Sequence, residues 1–363
     1  MRLGSKIGKK PGKATVSLGG RTFVGIDISD HSVKMVQISG RSPEQVKVEG
    51  CAITPLPTGA VVDGKVANVD DLVVTLQQTA SRMGGISKNV IAGMPNAIVT
   101  VQNFSYDPAS GMDLNGAAEF EAAQISVIDD INYDYQAIGY AQGSEQNVML
   151  ALAKKEDIEP YFGALEDAGL ELSFADVETA ARINAYSLWI NTHSSDLENS
   201  VVAVFDIGEE NTQALVLQAG NILFKQDFPV GGKHLSREIQ RTYQVGLDEA
   251  EHMKMSANKP HDYKVVADSF NGQIAQEVQR VLQFFYTLST SGGSQKVERI
   301  FLTGGGSQCN GLAENITAHS SVPTQALHPF EHVSVSGKVN QDQLRQNAAR
   351  YTVALGLALR GLA

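Results

Sequence analysis

Two aspartates, Asp27 and Asp206, each follow a run of apolar residues and precede a short polar turn. Their segments read Phe23-Val-Gly-Ile-Asp-Ile-Ser-Asp-His-Ser-Val-Lys34 and Val202-Ala-Val-Phe-Asp-Ile-Gly-Glu-Glu-Asn-Thr-Gln213, and the two segments are offset by 179 residues. Both patterns predict a strand, a tight polar turn and a second strand. Such turns present N–H groups to phosphate oxygens, and a carboxylate at a strand end holds a hydrated Mg²⁺ ion. The repetition therefore predicts two related halves that clamp a triphosphate, with Asp27 and Asp206 as the metal-binding residues.

The polar groups of the two turns are the candidates for phosphate contact. They are Ser29, Asp30, His31, Ser32 and Lys34 in the first hairpin, and Gly208, Asn211 and Thr212 in the second. The alternative for either aspartate alone is an ordinary turn residue, whose carboxylate accepts hydrogen bonds from local N–H groups. The duplication favours the phosphate-binding interpretation, because an ordinary turn does not require the same pattern in both halves.

A glycine triplet in the second half adds to this pattern. Gly304, Gly305 and Gly306 follow a strand predicted at 299–302. Glycines in such a place let the backbone approach a flat base or a phosphate closely. A triplet alone is typical of a flexible turn, but its position after the second set of strands predicts that it lies beside a nucleoside.

A second glycine segment opens a predicted helix. Gly231, Gly232 and Lys233 precede helical positions that carry Glu238 and Arg241 about one turn apart. We expect these two side chains to reach ribose hydroxyls or the base. A salt bridge between them at the surface is the alternative.

Length and composition exclude several classes of protein. The chain has 363 residues, of which 42% are apolar and 19% are charged, as in globular proteins with two or three folding units. No apolar stretch approaches the roughly 18 to 20 residues that a membrane-spanning helix needs, and the N-terminus lacks the apolar core of a secretion signal. The two cysteines, Cys51 and Cys309, have no metal-ligand spacing. We therefore expect a cytoplasmic protein with reduced thiols.

Charge is distributed unevenly along the chain. Residues 1–21 carry six basic side chains and no acidic one, which leaves the remainder with 23 basic and 40 acidic side chains. The formal net charge of −11 for the whole chain argues against a nucleic-acid partner. The basic segment is predicted to be a flexible tail, with weak attraction to an anionic membrane surface as a further possibility.

The predicted elements alternate between strands and helices, which indicates an α/β protein. A compact α+β unit is predicted at 58–153, and a polar linker at 192–199. A helical stretch of about sixty residues follows Gly232 and is interrupted near Pro260. The chain is predicted to end in an amphipathic helix from about 341 to 362 whose apolar side packs in the core.

These motifs resemble those of the actin, Hsp70 and sugar-kinase ATPase superfamily. Within it, the chain resembles the PilM family of type IV pilus assembly proteins, relatives of the division protein FtsA. The resemblance covers nearly all of the chain from about residue 22. Its most specific segments are Gly25-Ile-Asp-Ile-Ser-Asp-His-Ser-Val-Lys34, Asp206-Ile-Gly208, Gly231-Gly-Lys-His-Leu-Ser-Arg-Glu-Ile-Gln-Arg241, Leu282-Gln-Phe-Phe285 and Gly356-Leu-Ala-Leu-Arg360.

The resemblance implies an actin-like ATPase fold of two duplicated halves with an FtsA-like 1C subdomain of the SHS2-type α+β kind. The predicted subdomains are 1A at 22–57, 154–199 and 341–363; 1C at 58–153; 2A at 200–232 and 297–340; and 2B at 233–296. Residues 1–21 form the tail that precedes them.

The resemblance also implies a function. ATP and Mg²⁺ are the expected cofactors, with slow or negligible hydrolysis. The sequence alone does not assign a catalytic base to any residue. The expected role is an adaptor beneath the inner membrane that captures the N-terminal cytoplasmic peptide of a PilN-like membrane protein and links it to the pilus motor ATPases. Self-association into a homo-oligomer is a further expectation. The alternatives are a phosphotransferase of the sugar-kinase branch and an FtsA-like filament protein.

One departure from the family pattern bears on nucleotide binding. Glu209 and Glu210 stand in the second turn, where the family tends to have small residues. An inward carboxylate would repel a γ-phosphate. We therefore expect both side chains to point to solvent.

Overall fold

The structure, a computed structural model, describes residues 21–42, 45–87, 89–137, 145–193, 197, 199–256, 258–289, 296–331 and 333–362. The predicted basic tail therefore lies outside the described residues except for Arg21, which begins the first strand. Residues 194–196 and 198 of the predicted linker at 192–199 also lie outside the described residues.

The chain forms two compact units. Unit 1 comprises Met1–Tyr186, Val333–Leu344 and Val353–Ala363, and unit 2 comprises Ser187–His332 and Arg345–Thr352. The finer division into four subdomains remains a prediction.

The described strands are β1 (Arg21–Ile28), β2 (Ser32–Gly40), β3 (Val46–Pro55), β4 (Val61–Val62), β5 (Lys65–Val66), β6 (Asn89–Met94), β7 (Val99–Tyr106), β8 (Ile131–Ala137), β9 (Gln146–Lys154), β10 (Glu171–Val177), β11 (Val201–Ile207), β12 (Thr212–Gln218), β13 (Asn221–Phe228), β14 (Arg299–Thr303), β15 (Thr324–Ala326) and β16 (Ser334–Val335). The described α-helices are α1 (Val69–Arg82), α2 (Leu114–Ile125), α3 (Lys155–Asp167), α4 (Glu178–His193), α5 (Gly232–Tyr243), α6 (Leu247–Met255), α7 (Tyr263–Ser289), α8 (Leu312–Ser320), α9 (Gln341–Asn347) and α10 (Thr352–Arg360).

The main sheet of unit 1 is built around β1. Its order is β10-β6-β1-β2-β3-β16, in which β1 is antiparallel to β2 and parallel to β6. Val24, Ile26 and Ile28 on one face of β1 have no exposed surface, and Gly25 and Asp27 on the other face are also buried. A central strand that is buried on both faces has no need of polar alternation, which is why this segment is almost continuously apolar.

The sheet of unit 2 repeats this topology. Its order is β13-β12-β11-β14-β15, in which β11 is antiparallel to β12 and parallel to β14. Each unit therefore has three consecutive antiparallel strands followed by two parallel ones, and the aspartate of each hairpin lies on the central strand. The duplication predicted from the sequence is confirmed at the level of strand order and direction.

A small α+β layer is inserted in unit 1 between β6 and α3. Its antiparallel sheet has the order β7-β9-β8, and α2 packs on it through Ala118 and Ala122 against Ile131, Leu150 and Leu152. This layer is narrower than the predicted 58–153, because β6 pairs with β1 and β10 in the main sheet.

Two helical predictions need correction. The stretch after Gly232 also breaks at Gln244, whose φ of 54° is left-handed, so that α5 and α6 are separate helices. The terminal helix is divided by a 3₁₀ turn at Ala348–Tyr351. There the Ala349 carbonyl oxygen accepts hydrogen bonds from Gly304 N (3.3 Å) and from Thr303 Oγ1 (3.3 Å), which are distant in sequence.

No helix in the described ranges is both long and apolar enough to cross a membrane.

Candidate functional site

The hairpin of unit 1 has a cation fixed at its end. Asp27 and Lys34 are paired across β1 and β2, and Lys34 Nζ lies 3.0 Å from Asp27 Oδ2 and 3.3 Å from Ser29 Oγ. The turn is closed by a hydrogen bond from Ser29 N to the Ser32 carbonyl oxygen (3.1 Å). The salt bridge holds the ammonium group beside the turn that the sequence predicts to bind phosphate.

The hairpin of unit 2 has the same backbone and different charges. Gly208 N donates to the Asn211 carbonyl oxygen at 3.0 Å, at positions equivalent to Ser29 and Ser32. Asp206 is paired across the strands with Gln213, where unit 1 has a lysine. The Asp206 side chain is 9% exposed. The two hairpins therefore share a shape, but the one in unit 2 lacks the cross-strand cation.

Both predicted glycine segments pack against the unit 2 hairpin. A Cβ atom at Gly304, whose φ is +82°, would collide with Asp206 Oδ1 and with the Ile207 carbonyl oxygen. From the other segment, Gly232 N donates to the Gly208 carbonyl oxygen at 2.9 Å. The approach at Gly304 requires a residue without a side chain, and so does Gly231, where a Cβ atom would collide with the Glu209 carbonyl oxygen. The structure thus brings together three motifs that are far apart in the sequence.

The structure places Thr212 differently from the phosphate contact that the sequence predicts for it. Its side chain is fully buried, and its hydroxyl group donates to the Val230 carbonyl oxygen at 2.6 Å. A hydroxyl group used in this way fixes the connection between β13 and α5 and is not available to a phosphate.

A cavity of about 210 Å³ opens beside these glycines in unit 2. Gly232, Gly305 and Gly306 line it, together with Glu209. Three cationic side chains that sequence reasoning missed also line it: Lys254 and Lys259, at and just after the end of α6, and Arg350, almost a hundred residues later. A small cavity with glycine walls and several cations is suited to an anionic ligand with a flat part.

Lys254 is the centre of a polar network in the cavity wall. Its Nζ donates to Glu251 Oε1 (2.8 Å) and to Ser236 Oγ (2.9 Å), and lies 3.5 Å from both carboxylate oxygens of Glu209. The Lys254 side chain is only 14% exposed. Glu209 therefore does not simply point to solvent as predicted, because it lines the cavity and its charge is balanced by Lys254.

The remaining predicted residues of this half lie outside the lining of the cavity. Lys233 forms an ion pair with Glu210, so that this second glutamate is also balanced by a lysine. Arg241 pairs with Glu238 at 2.6 Å, and its side chain is 77% exposed. The surface salt bridge that the sequence left open as an alternative is thus the arrangement of the last two residues.

Comparison with known proteins gives the family. The family described as type IV pilus assembly protein PilM matches residues 25–362. The chain belongs to the PilM family. It is also similar to a solved PilM–PilN type IV pilus biogenesis complex, with 25% identity and a TM-score of 0.79, over 94% of this chain and 98% of that one.

A second solved structure supports the fold of this PilM-family chain. The ethanolamine utilization protein EutJ from Carboxydothermus hydrogenoformans has 17% identity and a TM-score of 0.58, over 94% of this chain and 90% of that one. With the two equivalent sheets, these similarities confirm the predicted actin-like ATPase fold of the α/β class.

The acidic residues of the PilM-family chain bear on its expected magnesium ion. Within the described ranges, no group of three or more His, Cys, Asp or Glu side chains is arranged to hold a metal. A Mg²⁺ ion that keeps most of its waters needs only one or two carboxylates besides phosphate oxygens. In this structure the Asp27 carboxylate is bound to Lys34, and the Asp206 carboxylate lies beside Gly304.

Lys259 and Cys309 form the other side of the cavity. Lys259 Nζ donates to the carbonyl oxygens of Met253 (2.8 Å) and Lys254 (2.6 Å), which caps the C-terminal end of α6, and it lies 4.5 Å from the ring centroid of Tyr263. Burial lowers the pKa of Lys259. Burial also raises the pKa of the Cys309 thiol to about 11, although the nearby Lys259 opposes this shift.

We expect Cys309 to react slowly with iodoacetamide at neutral pH, because only the thiolate is nucleophilic. A pKa of about 11 in place of 9.0 makes the thiolate about 100-fold scarcer at pH 8. The labelling rate, followed by mass spectrometry of the Cys309 peptide, should rise about tenfold per pH unit up to about pH 11. Rapid labelling at pH 8, at the rate of a free cysteine in solution, would contradict this assignment.

Proposed function

We propose that this chain is a nucleotide-binding adaptor of the type IV pilus machinery that captures the N-terminal cytoplasmic peptide of a PilN-like membrane protein. The observation that carries the proposal is the similarity to a PilM–PilN complex over 94% of the chain. The family match over residues 25–362 supports the same pilus assembly role. In this proposal the chain lies in the cytoplasm at the inner face of the inner membrane, held there by its partner, and relays to the motor ATPases.

The nucleotide is proposed to be ATP. Its most favourable place in unit 2 is the cavity beside Gly305 and Gly306, where Lys254 and Arg350 supply positive charge. The unit 1 hairpin, where Asp27 fixes Lys34, is also proposed to bind phosphate. Asp206 would hold Mg²⁺ through water, and the ion would neutralise phosphate charge.

Binding without rapid hydrolysis is sufficient for this role. A ligand that binds only the folded, closed arrangement stabilises it by RT ln(1 + [L]/Kd). Such a bias selects one conformation and so changes the affinity of a distant peptide site. Neither the family match nor the similarity to the PilM–PilN complex favours the phosphotransferase or filament alternatives.

The pilus role is tested by deletion of the gene in the source organism. We expect the deletion strain to lose surface pili while the PilN-like protein is still made, and expression of this chain to restore them. Normal piliation of the deletion strain, counted by electron microscopy, would contradict the proposal.

The nucleotide site is tested by Gly306→Ala. Its Cβ atom would collide with Ile207 Cγ2, and overpacking of this kind costs about 1–3 kcal/mol. If the triplet must fit against the nucleotide, the ATP affinity should fall about tenfold or more in calorimetric titration. Gly272→Ala in α7 is the matched control, because nothing lies within 4 Å of its Cβ position. Equal ATP affinity of both variants would exclude the triplet from the site.

A further inference from the structure

The side chain of Asp30 does not remain within its own turn. Its Oδ2 accepts a hydrogen bond from Asp63 N (3.0 Å), and its Oδ1 accepts one from Gly64 N (3.1 Å). Asp63 and Gly64 both have left-handed φ angles, 51° and 73°, and form the turn between β4 and β5. Their two adjacent N–H groups form a concavity suited to an anion, and the Asp30 carboxylate occupies it.

Gly64 also contacts the place where the chain leaves the main sheet for the α+β layer. A Cβ atom at Gly64 would lie 2.9 Å from Pro95 Cβ and 3.2 Å from Ala97 Cβ, in the connection between β6 and β7. The backbone of this turn is therefore packed closely against the start of the layer. A side chain at Gly64 would push the β4–β5 turn away from the connection between β6 and β7.

The same glycine is bound to the helix that follows the layer. The Gly64 carbonyl oxygen accepts a hydrogen bond from Tyr161 Oη (2.8 Å) in α3, which begins directly after β9. Tyr161 is fully buried, and this burial raises the pKa of its hydroxyl group far above the ordinary value, with the charge of Glu178 as the next cause. Tyr161 is thus a permanent donor at physiological pH.

We infer that Asp30 is a positioning residue that couples the unit 1 hairpin to the α+β layer through the Asp63–Gly64 turn. The Asp30 carboxylate binds the turn, and the turn contacts both the start of the layer and the helix α3 that follows the layer. A shift of the hairpin on binding phosphate is passed to the layer through these contacts. Asp30 therefore acts on the peptide side of the protein and not as a direct ligand of the nucleotide.

This inference rests on the proposed function, in which the hairpin contacts ATP and the layer takes part in peptide binding. Three variants test it. Asp30→Ala removes both acceptors, Asp30→Asn keeps one, and Tyr161→Phe removes the donor to Gly64. Asp107→Ala is the control, because Asp107 is a half-buried aspartate after β7 whose side chain accepts a local hydrogen bond from Ala109 N (2.9 Å).

The first measurement is the affinity for the PilN-like peptide with and without MgATP, by calorimetry. We expect MgATP to change this affinity about fivefold or more in the wild type and in the control, as is usual for coupled sites. The change should fall to within about twofold in Asp30→Ala and Tyr161→Phe and be intermediate in Asp30→Asn. The ATP affinity itself should remain within about threefold of wild type in all of them. A large loss of ATP affinity in Asp30→Ala with normal coupling would overturn the inference and make Asp30 a nucleotide ligand.

The second measurement is amide hydrogen exchange without peptide. Asp30→Ala should speed exchange at Asp63 and Gly64, and MgATP should alter exchange at residues 96–98 in the wild type but not in this variant. Unchanged exchange at Asp63 and Gly64 would overturn the inference even if the wild type binds peptide. If the wild type binds neither ATP nor peptide, the proposed function fails. The exchange of these two amides still decides whether the Asp30 carboxylate binds the Asp63–Gly64 turn.

Discussion

Replacement of Gly356 by alanine should destabilise unit 1 by about 3 kcal/mol. Gly356 lies in α10, and a Cβ atom there would collide with the carbonyl oxygen and carbon of Ala181 in α4. On another side of the same helix, a Cβ atom at Gly25 of β1 would collide with the carbonyl oxygen of Ala354. Backbone atoms move less easily than side-chain ends, so α10 cannot accept the extra carbon without shifting as a whole.

The measurement is thermal and urea unfolding of the full chain. Gly163→Ala in α3 is the control, since nothing lies within 4 Å of its Cβ position. Alanine in an open helical position stabilises by about 0.5–1 kcal/mol relative to glycine. The two Gly→Ala changes should therefore act in opposite directions. Similar midpoints for both variants would show that the close approach of α10 to α4 is not required.

Lys254→Met should weaken ATP binding more than any other single change to a side chain in the cavity. Methionine keeps the length of the side chain but removes the charge, which leaves the carboxylates of Glu209 and Glu251 without this partner at the cavity wall. These carboxylates would then repel the phosphates of the ligand. We expect the ATP affinity to fall at least about tenfold. The loss of stability should be limited to about 2 kcal/mol, because both carboxylates are partly exposed and water still solvates them.

Lys233→Met is the matched control for this change. Lys233 forms a similar ion pair with Glu210, but both side chains are more than a third exposed and neither lines the cavity. A pair of this kind contributes about 0–1 kcal/mol to stability. ATP titrations and unfolding curves of the two variants should therefore differ clearly. A larger loss of ATP affinity in Lys233→Met than in Lys254→Met would indicate that Lys233, as predicted from the sequence, is the nucleotide contact and Lys254 is not.

The hairpins were predictable because their signal is local. In each half, an apolar strand, an aspartate and a polar turn lie within about twelve residues, and the same turn closure is found at Ser29 and at Gly208. The duplication then predicts that the two sheets share one strand order, as they do. The family resemblance supplied the rest of the fold, which no local pattern contains.

The lining of the cavity was not predictable in the same way. Lys254 and Arg350 come from a helix and from a 3₁₀ turn almost a hundred residues apart, and tertiary packing alone brings them together. The break in the terminal helix has the same cause, because the Ala349 carbonyl oxygen is bound by Thr303 and Gly304. Asp30 was assigned to phosphate from its place in the turn, whereas its partners, Asp63 and Gly64, follow only after thirty-three residues.

The measurement that tests the adaptor role most directly is a calorimetric titration of the full chain with the N-terminal cytoplasmic peptide of the PilN-like protein. A peptide of scrambled sequence is the control, and both are titrated with and without MgATP. We expect micromolar or tighter binding of the native peptide alone and a change of its affinity with MgATP. Intact MgATP binding with no binding of the peptide in either state would rule out the adaptor role.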